Sequence, residues 1–67
     1  MKIERSSDNE VTVTLNGTEL RIINNCIGEA LDAFEDDAEF HPRIGATIAE
    51  ASALLDAIHP LASTLTD

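Results

Sequence analysis

Two histidines, one cysteine and a run of carboxylates are the side chains of this 67-residue sequence best able to do chemistry. His41 and His59 lie far apart in the chain and share no ligand-like spacing. Each therefore reads as a surface or capping residue before it reads as a metal ligand or a general base. Cys26 has no cationic neighbour in its immediate sequence to favour the thiolate, and reads as a buried, inert thiol. The Ser, His and Asp residues form no arrangement beyond being present, and there is no glycine-rich phosphate loop. The acidic stretch lacks the alternating Asp/Asn and the glycine of a calcium loop. The expectation is a protein without catalysis, cofactor or metal, since two strands and two helices offer little volume for a concave site.

The carboxylates give a stronger signal. Asp32, Glu35, Asp36, Asp37 and Glu39 crowd into one short stretch. At the C-terminal end of a helix such acids oppose the macrodipole, each at about 0.3–1 kcal/mol when exposed, and they also repel one another. A cluster that lowers stability is a candidate surface for a basic protein. The plainer account is a solvated, frayed helix end. The whole chain carries 13 acids against 4 bases, a net charge of -9. That balance disfavours nucleic-acid phosphate and anionic membranes as partners. It is compatible with a cationic protein, and equally with simple solubility.

These residues must be positioned by elements, and the patterning supplies them. Residues 2–5 and 10–15 read as an antiparallel β-hairpin across the turn formers Ser6 to Asn9. Val11, Val13 and Leu15 alternate with Thr12 and Thr14, which places the aliphatic side chains toward a core and the threonines toward solvent. Asn16-Gly17 is ambiguous between a second hairpin turn and the approach to a helix. Leu20, Ile23, Ile27, Leu31 and Phe34 keep one stripe over four helical turns and favour a helix over 19–35, with Thr18 as N-cap and Glu19 in its first turn. Asn24 lies beside that stripe and needs a partner. Gly28 leaves room for another backbone to approach. Ile22, with Cys26, forms a second apolar shoulder.

Thr47 and Glu50 have the spacing of a capping box and start a helix over 48–59, which Pro60 is expected to stop. Ala51, Leu54, Leu55 and Ile58 share its apolar face, and Ala49, Ala53 and Ala57 the opposite one. Between the helices runs a structural loop. Phe40 and Ile44 anchor it, Pro42 biases His41 toward an extended conformation, and Arg43 is expected to pair with Glu39 or its acidic neighbours. Gly45 can take a positive φ before the cap. Leu61 and Leu65 lie in a tail over 60–67 that either docks or stays disordered.

The segments Asn24-Asn25-Cys26-Ile27-Gly28-Glu29-Ala30-Leu31 and Glu39-Phe40-His41-Pro42-Arg43-Ile44-Gly45-Ala46-Thr47, followed by Glu50 and Leu54-Leu55, resemble a group of small bacterial proteins of unknown function. Those proteins share an Asn-Asn helix, a Glu-Phe-x-x-Arg-Ile-Gly type of loop and a capped second helix. Pro42 departs from the polar residue expected in that loop. The resemblance implies the helical reading of the Asn-Asn segment and no activity.

The sequence therefore predicts a single α+β domain over 1–67, a β-hairpin followed by two antiparallel helices (ββαα) in two layers. The expected function is a small acidic protein-interaction module that recognises a basic protein partner, as immunity proteins, antitoxins and other inhibitors do. Asp32, Glu35, Asp36, Asp37 and Glu39 are its binding residues. The alternative is a structural or accessory homo-oligomeric subunit, a homodimer for instance, without charge-driven binding, in which Ile22, Cys26 and the alanine face meet another subunit. No apolar run is long enough to span a membrane and no signal peptide is evident, so a cytoplasmic location is expected.

Overall fold

The structure, a computed structural model, describes residues 1–66 and has the order ββααα. Strands β1 (Lys2–Ser7) and β2 (Glu10–Thr14) form a two-stranded antiparallel hairpin. Helices α1 (Gly17–Ala33), α2 (Asp37–Ile44) and α3 (Ile48–Ala62) follow. The α+β class and the leading hairpin agree with the sequence. A third helix stands where a loop was expected.

The hairpin pairs Lys2 with Thr14, Ile3 with Val13, Glu4 with Thr12 and Arg5 with Val11, and a bulge at Ser6 precedes the pairing of Ser7 with Glu10. The alternation is as the sequence implies, because side chains in a strand point to opposite faces in turn. Ser6 and Thr12 share a hydroxyl hydrogen bond of 2.7 Å. The burial is not as expected: Val11 and Val13 are exposed and Leu15 only half-buried. The two-layer expectation fails for the same reason, since the strands and helices do not pack against each other. Instead, the Met1 amino group reaches the Glu19 carboxylate at 2.8 Å.

Helix α1 begins two residues earlier than its stripe suggests. Asn16, not Thr18, is the N-cap, and its side chain accepts a hydrogen bond from the Glu19 N–H at 2.8 Å. Glu19 returns the bond by accepting from the Asn16 N–H at 3.0 Å. This reciprocal box satisfies two of the donors that a helix start leaves orphaned. The stripe of Leu20, Ile23, Ile27, Leu31 and Phe34 is buried or half-buried along its length. Phe34 itself, extended in backbone, ends the helix.

Helix α2 begins within the acidic run. Asp36 is its N-cap, and its carboxylate accepts from the Glu39 N–H at 3.1 Å. At the other end Gly45 turns left-handed with φ 86°, and its N–H donates to the His41 carbonyl at 2.8 Å. Pro42 lies inside the helix, so His41 is helical rather than extended. The missing N–H affects one bond in a short helix, while both ends are capped and Phe40 is fully buried. Those anchors outweigh the local preference of a residue before proline.

Helix α3 starts at Thr47 with the expected box: the Thr47 hydroxyl accepts from the Glu50 N–H, and Glu50 accepts from the Thr47 N–H. It runs through Pro60 to Ala62 instead of stopping at His59. Hydroxyls serve the carbonyls of that last turn, with Ser63 donating to the His59 carbonyl at 2.8 Å and Thr64 to the Pro60 carbonyl. The tail then docks. The Arg21 guanidinium donates to the Leu65 carbonyl, and the Thr66 backbone lies against Gly17. Asp67, the last residue of the predicted tail, lies outside the described residues.

Helices α1 and α3 form the antiparallel pair that the sequence implies, with α2 bridging their far ends. The buried apolar residues are few: Leu20, Phe40, Ala51 and Ala62. Asn24 is buried among them. The partners it needs are His59 Nδ1, at 3.3 Å from its Oδ1, and Asn25. With its carbonyl oxygen accepting, His59 must carry a proton on Nδ1. The contact ties α1 to α3 across the core. Gly28 meets nothing within 4 Å of where a Cβ would stand, so no backbone uses the space it leaves.

Candidate interaction surface

The acidic residues fall into two groups once the helices are placed. Asp36, Asp37 and Glu39 belong to the start of α2, where the partial positive charge of the helix favours carboxylates. The expected conflict with the macrodipole is therefore absent for these three, because a new helix begins inside the run. Asp37 has a further role. Its Oδ1 accepts the N–H of Ile48, the first residue of α3, at 2.7 Å. One carboxylate thus fixes the start of α3 relative to the start of α2. Asp32, in the last turn of α1, and Glu35, in the link after it, are exposed and do not cap α2. All five predicted binding residues are exposed and lie along the α1–α2 junction.

The bases do not answer them. Among the described residues the ion pairs join Met1 to Glu19, Lys2 to Glu4 and Arg5 to Asp8, all at or beside the hairpin. Arg43 does not pair with Glu39. Its guanidinium carbon stands 5.5 Å from the centre of the Phe34 ring, and that ring meets Phe40 edge-on at 6.2 Å with an interplanar angle of 80°. Arg43 thus pins the junction by a cation–π contact, worth about 0.5–1 kcal/mol at an exposed site. The predicted structural loop, Phe40, Arg43, Gly45, Thr47 and Glu50, is a real unit, but it is built as a capped helix and a second cap.

Beside this unit lies an open apolar groove of about 470 Å³. Cys26, Ile27 and Ala30 of α1 form one wall, Phe40 and Ile44 of α2 the end, and α3 the other wall through Leu54 and its neighbours. Cys26 is exposed here, not buried, because it sits on the shoulder of α1 rather than on its core stripe. Glu50 is the acid in the lining, and it is already committed to the cap of α3. Its carboxyl is held below the usual glutamate range, first by the Thr47 N–H, then by the Thr47 side chain, with a smaller contribution from the charge of His41. Glu19 is held low in the same way by the Asn16 N–H and then by the amino terminus.

His41 is exposed and is not part of the groove lining. The groove lining therefore joins one thiol and one engaged carboxylate, and His41 acts on that carboxylate only through its charge. Among the described residues no group of three or more His, Cys, Asp or Glu side chains is placed to hold a metal ion. No described helix is long and apolar enough to cross a membrane. The groove is not legible in the sequence because it depends on how α2 lies across two other helices, and the local sequence of α2 implies a loop. No protein-family model, no curated protein and no solved structure matches this chain.

Proposed function

We propose that the protein is a small acidic binding module, not an enzyme, whose α1–α2 junction recognises a basic protein partner in the manner of an immunity protein, antitoxin or inhibitor. The observation that carries this reading is the uncompensated charge there. None of Asp32, Glu35, Asp36, Asp37 and Glu39 takes part in an ion pair among the described residues, although all are exposed. Complementary charge would steer a cationic partner to that end and reject acidic ones.

The test is capture from lysate by immobilised protein, compared with the triple variant Asp32→Asn, Glu35→Gln, Glu39→Gln. These changes leave the two aspartates that hold backbone N–H groups. The captured proteins should be basic and should be lost both in the variant and at high salt. Capture unchanged by the triple variant would refute the reading.

A second reading, an accessory homo-oligomer without charge-driven binding, is favoured by a separate observation. Ile22, Cys26 and the alanine face of Ala49, Ala53 and Ala57 are all exposed. Light scattering at low and high salt separates the two, because a dimer built on apolar contact persists in salt.

A further inference from the structure

Two apolar surfaces of this chain are uncovered, one projecting and one concave. The first is a face of the hairpin. The register sets Ile3 opposite Val13 and Arg5 opposite Val11, so these side chains share a face, with Thr12 and Thr14 on the other. Ile3 is 62% exposed and Val13 42%. The second is the groove among the three helices, where Leu54 is 54% exposed and Ile44 45%. An isolated two-stranded hairpin is marginal in water, and here no helix of the same chain lies under it.

The area states what is missing. The chain exposes 5029 Å², whereas a compact monomer of its mass, 7.2 kDa, exposes about 4,100 Å². The surplus of about 900 Å² is close to the roughly 800 Å² that each partner contributes to a standard protein–protein interface. The radius of gyration agrees: 13.2 Å against about 11 Å for a compact chain of this length.

Charge chooses which surfaces meet. Residues 17–66 carry most of the 13 acids, with Arg21 and Arg43 as their bases, so two helical bodies repel each other. The hairpin is nearly neutral, with Lys2, Arg5 and the amino terminus set against Glu4, Asp8 and Glu10. It is the part of one chain that can approach the acidic body of another, with Arg5 beside its apolar face and Glu50 in the groove wall. We infer that the protein is a symmetric homodimer in which the hairpin face of each copy covers the helical groove of the other. A two-fold axis makes the same contact twice and leaves neither surface open.

This rests on the homo-oligomer reading but moves its interface from Ile22 and the alanine face to the hairpin and the groove, and the experiment separates the two. Sedimentation of the full chain should show a monomer–dimer equilibrium. Val13→Lys or Leu54→Glu should each weaken it about tenfold to a hundredfold. Mixing the two variants should restore association, because the mixed dimer joins one native contact to one Lys–Glu contact. Two measurements on the unaltered protein stand even where a variant fails to fold. The melting temperature should rise with protein concentration, and the rate at which Ellman's reagent modifies Cys26 should fall. A monomer with a concentration-independent melting temperature overturns the proposal and the homo-oligomer reading together. A dimer that survives both substitutions keeps that reading and overturns these surfaces. Sensitivity to Val13→Lys alone would mean that hairpins pair with each other, and would overturn the groove contact.

Discussion

At the scale of single residues, the two capping boxes tie stability to pH. The Glu19 and Glu50 carboxyls are held low because the backbone N–H groups of Asn16 and Thr47 donate to their charged forms. A group lowered on folding contributes stability above its unfolded pKa, and that contribution is lost as the pH falls through its folded value. The contribution of the two boxes to the melting temperature should therefore be whole down to the ordinary glutamate value of 4.5 and be lost as an acid limb below it. Gln at positions 19 and 50 can still accept the bond but does not titrate, so Glu19→Gln with Glu50→Gln should flatten that acid limb. An unchanged limb would show that other carboxylates cause it. The glycines give a second test. Gly28 stands inside α1 with open space around it, so Gly28→Ala should stabilise by about 0.5–1 kcal/mol in chemical denaturation. At Gly17 an added Cβ would come within 2.8 Å of the Thr66 carbonyl oxygen. Gly17→Ala should instead displace the C-terminal segment and raise amide exchange there.

At the scale of elements, the helices show what local sequence specifies and where it stops. The Thr47–Glu50 box was legible because Thr at the cap and Glu three residues on stand directly before an apolar helical run. The same pattern in Asn16 and Glu19 was missed, since Asn-Gly also signals a hairpin and Thr18 offered a plausible cap. The stripe from Leu20 to Phe34 was legible because four turns of one period outweigh Asn24, Asn25 and Gly28. Helix α2 was not, because a proline and an acidic run both argue for a loop when no neighbour is considered. What makes it helical is tertiary: Phe40 buried against Phe34, and Asp37 holding the start of α3. The acids accordingly differ in kind. Asp36→Ala should cost about 0.5–2 kcal/mol as a lost cap, whereas Asp32→Asn should change stability by less than about 0.5 kcal/mol. Urea unfolding of the two variants checks this. Equal losses would mean that Asp36 does not act as a cap.

At the scale of the whole molecule, the α+β class and the leading hairpin were legible, and the third helix and the layering were not. Alternation in Val11, Val13 and Leu15 states that one face is apolar, but not which surface covers it. The helices and hairpin leave a flat body of 34 × 31 × 15 Å, and its charge is as unevenly distributed as its apolar area. Among the described residues the ion pairs that salt would weaken lie at or beside the hairpin, and such surface pairs contribute about 0–1 kcal/mol each. The repulsion that salt would relieve comes from a net charge of -9 carried mainly by the helices. Screening acts over about 10 Å at 0.1 M salt, a distance comparable to the thinnest dimension of the molecule. Repulsion within the body should therefore weaken more than these attractions. The melting temperature should rise with sodium chloride at fixed protein concentration, and self-association should tighten, since two acidic bodies are brought together. Capture of a basic protein at the α1–α2 junction should weaken over the same range. Opposite slopes for these two equilibria would assign them to different surfaces of one small chain, and a melting temperature that fell with salt would show that attraction, not repulsion, dominates its charge.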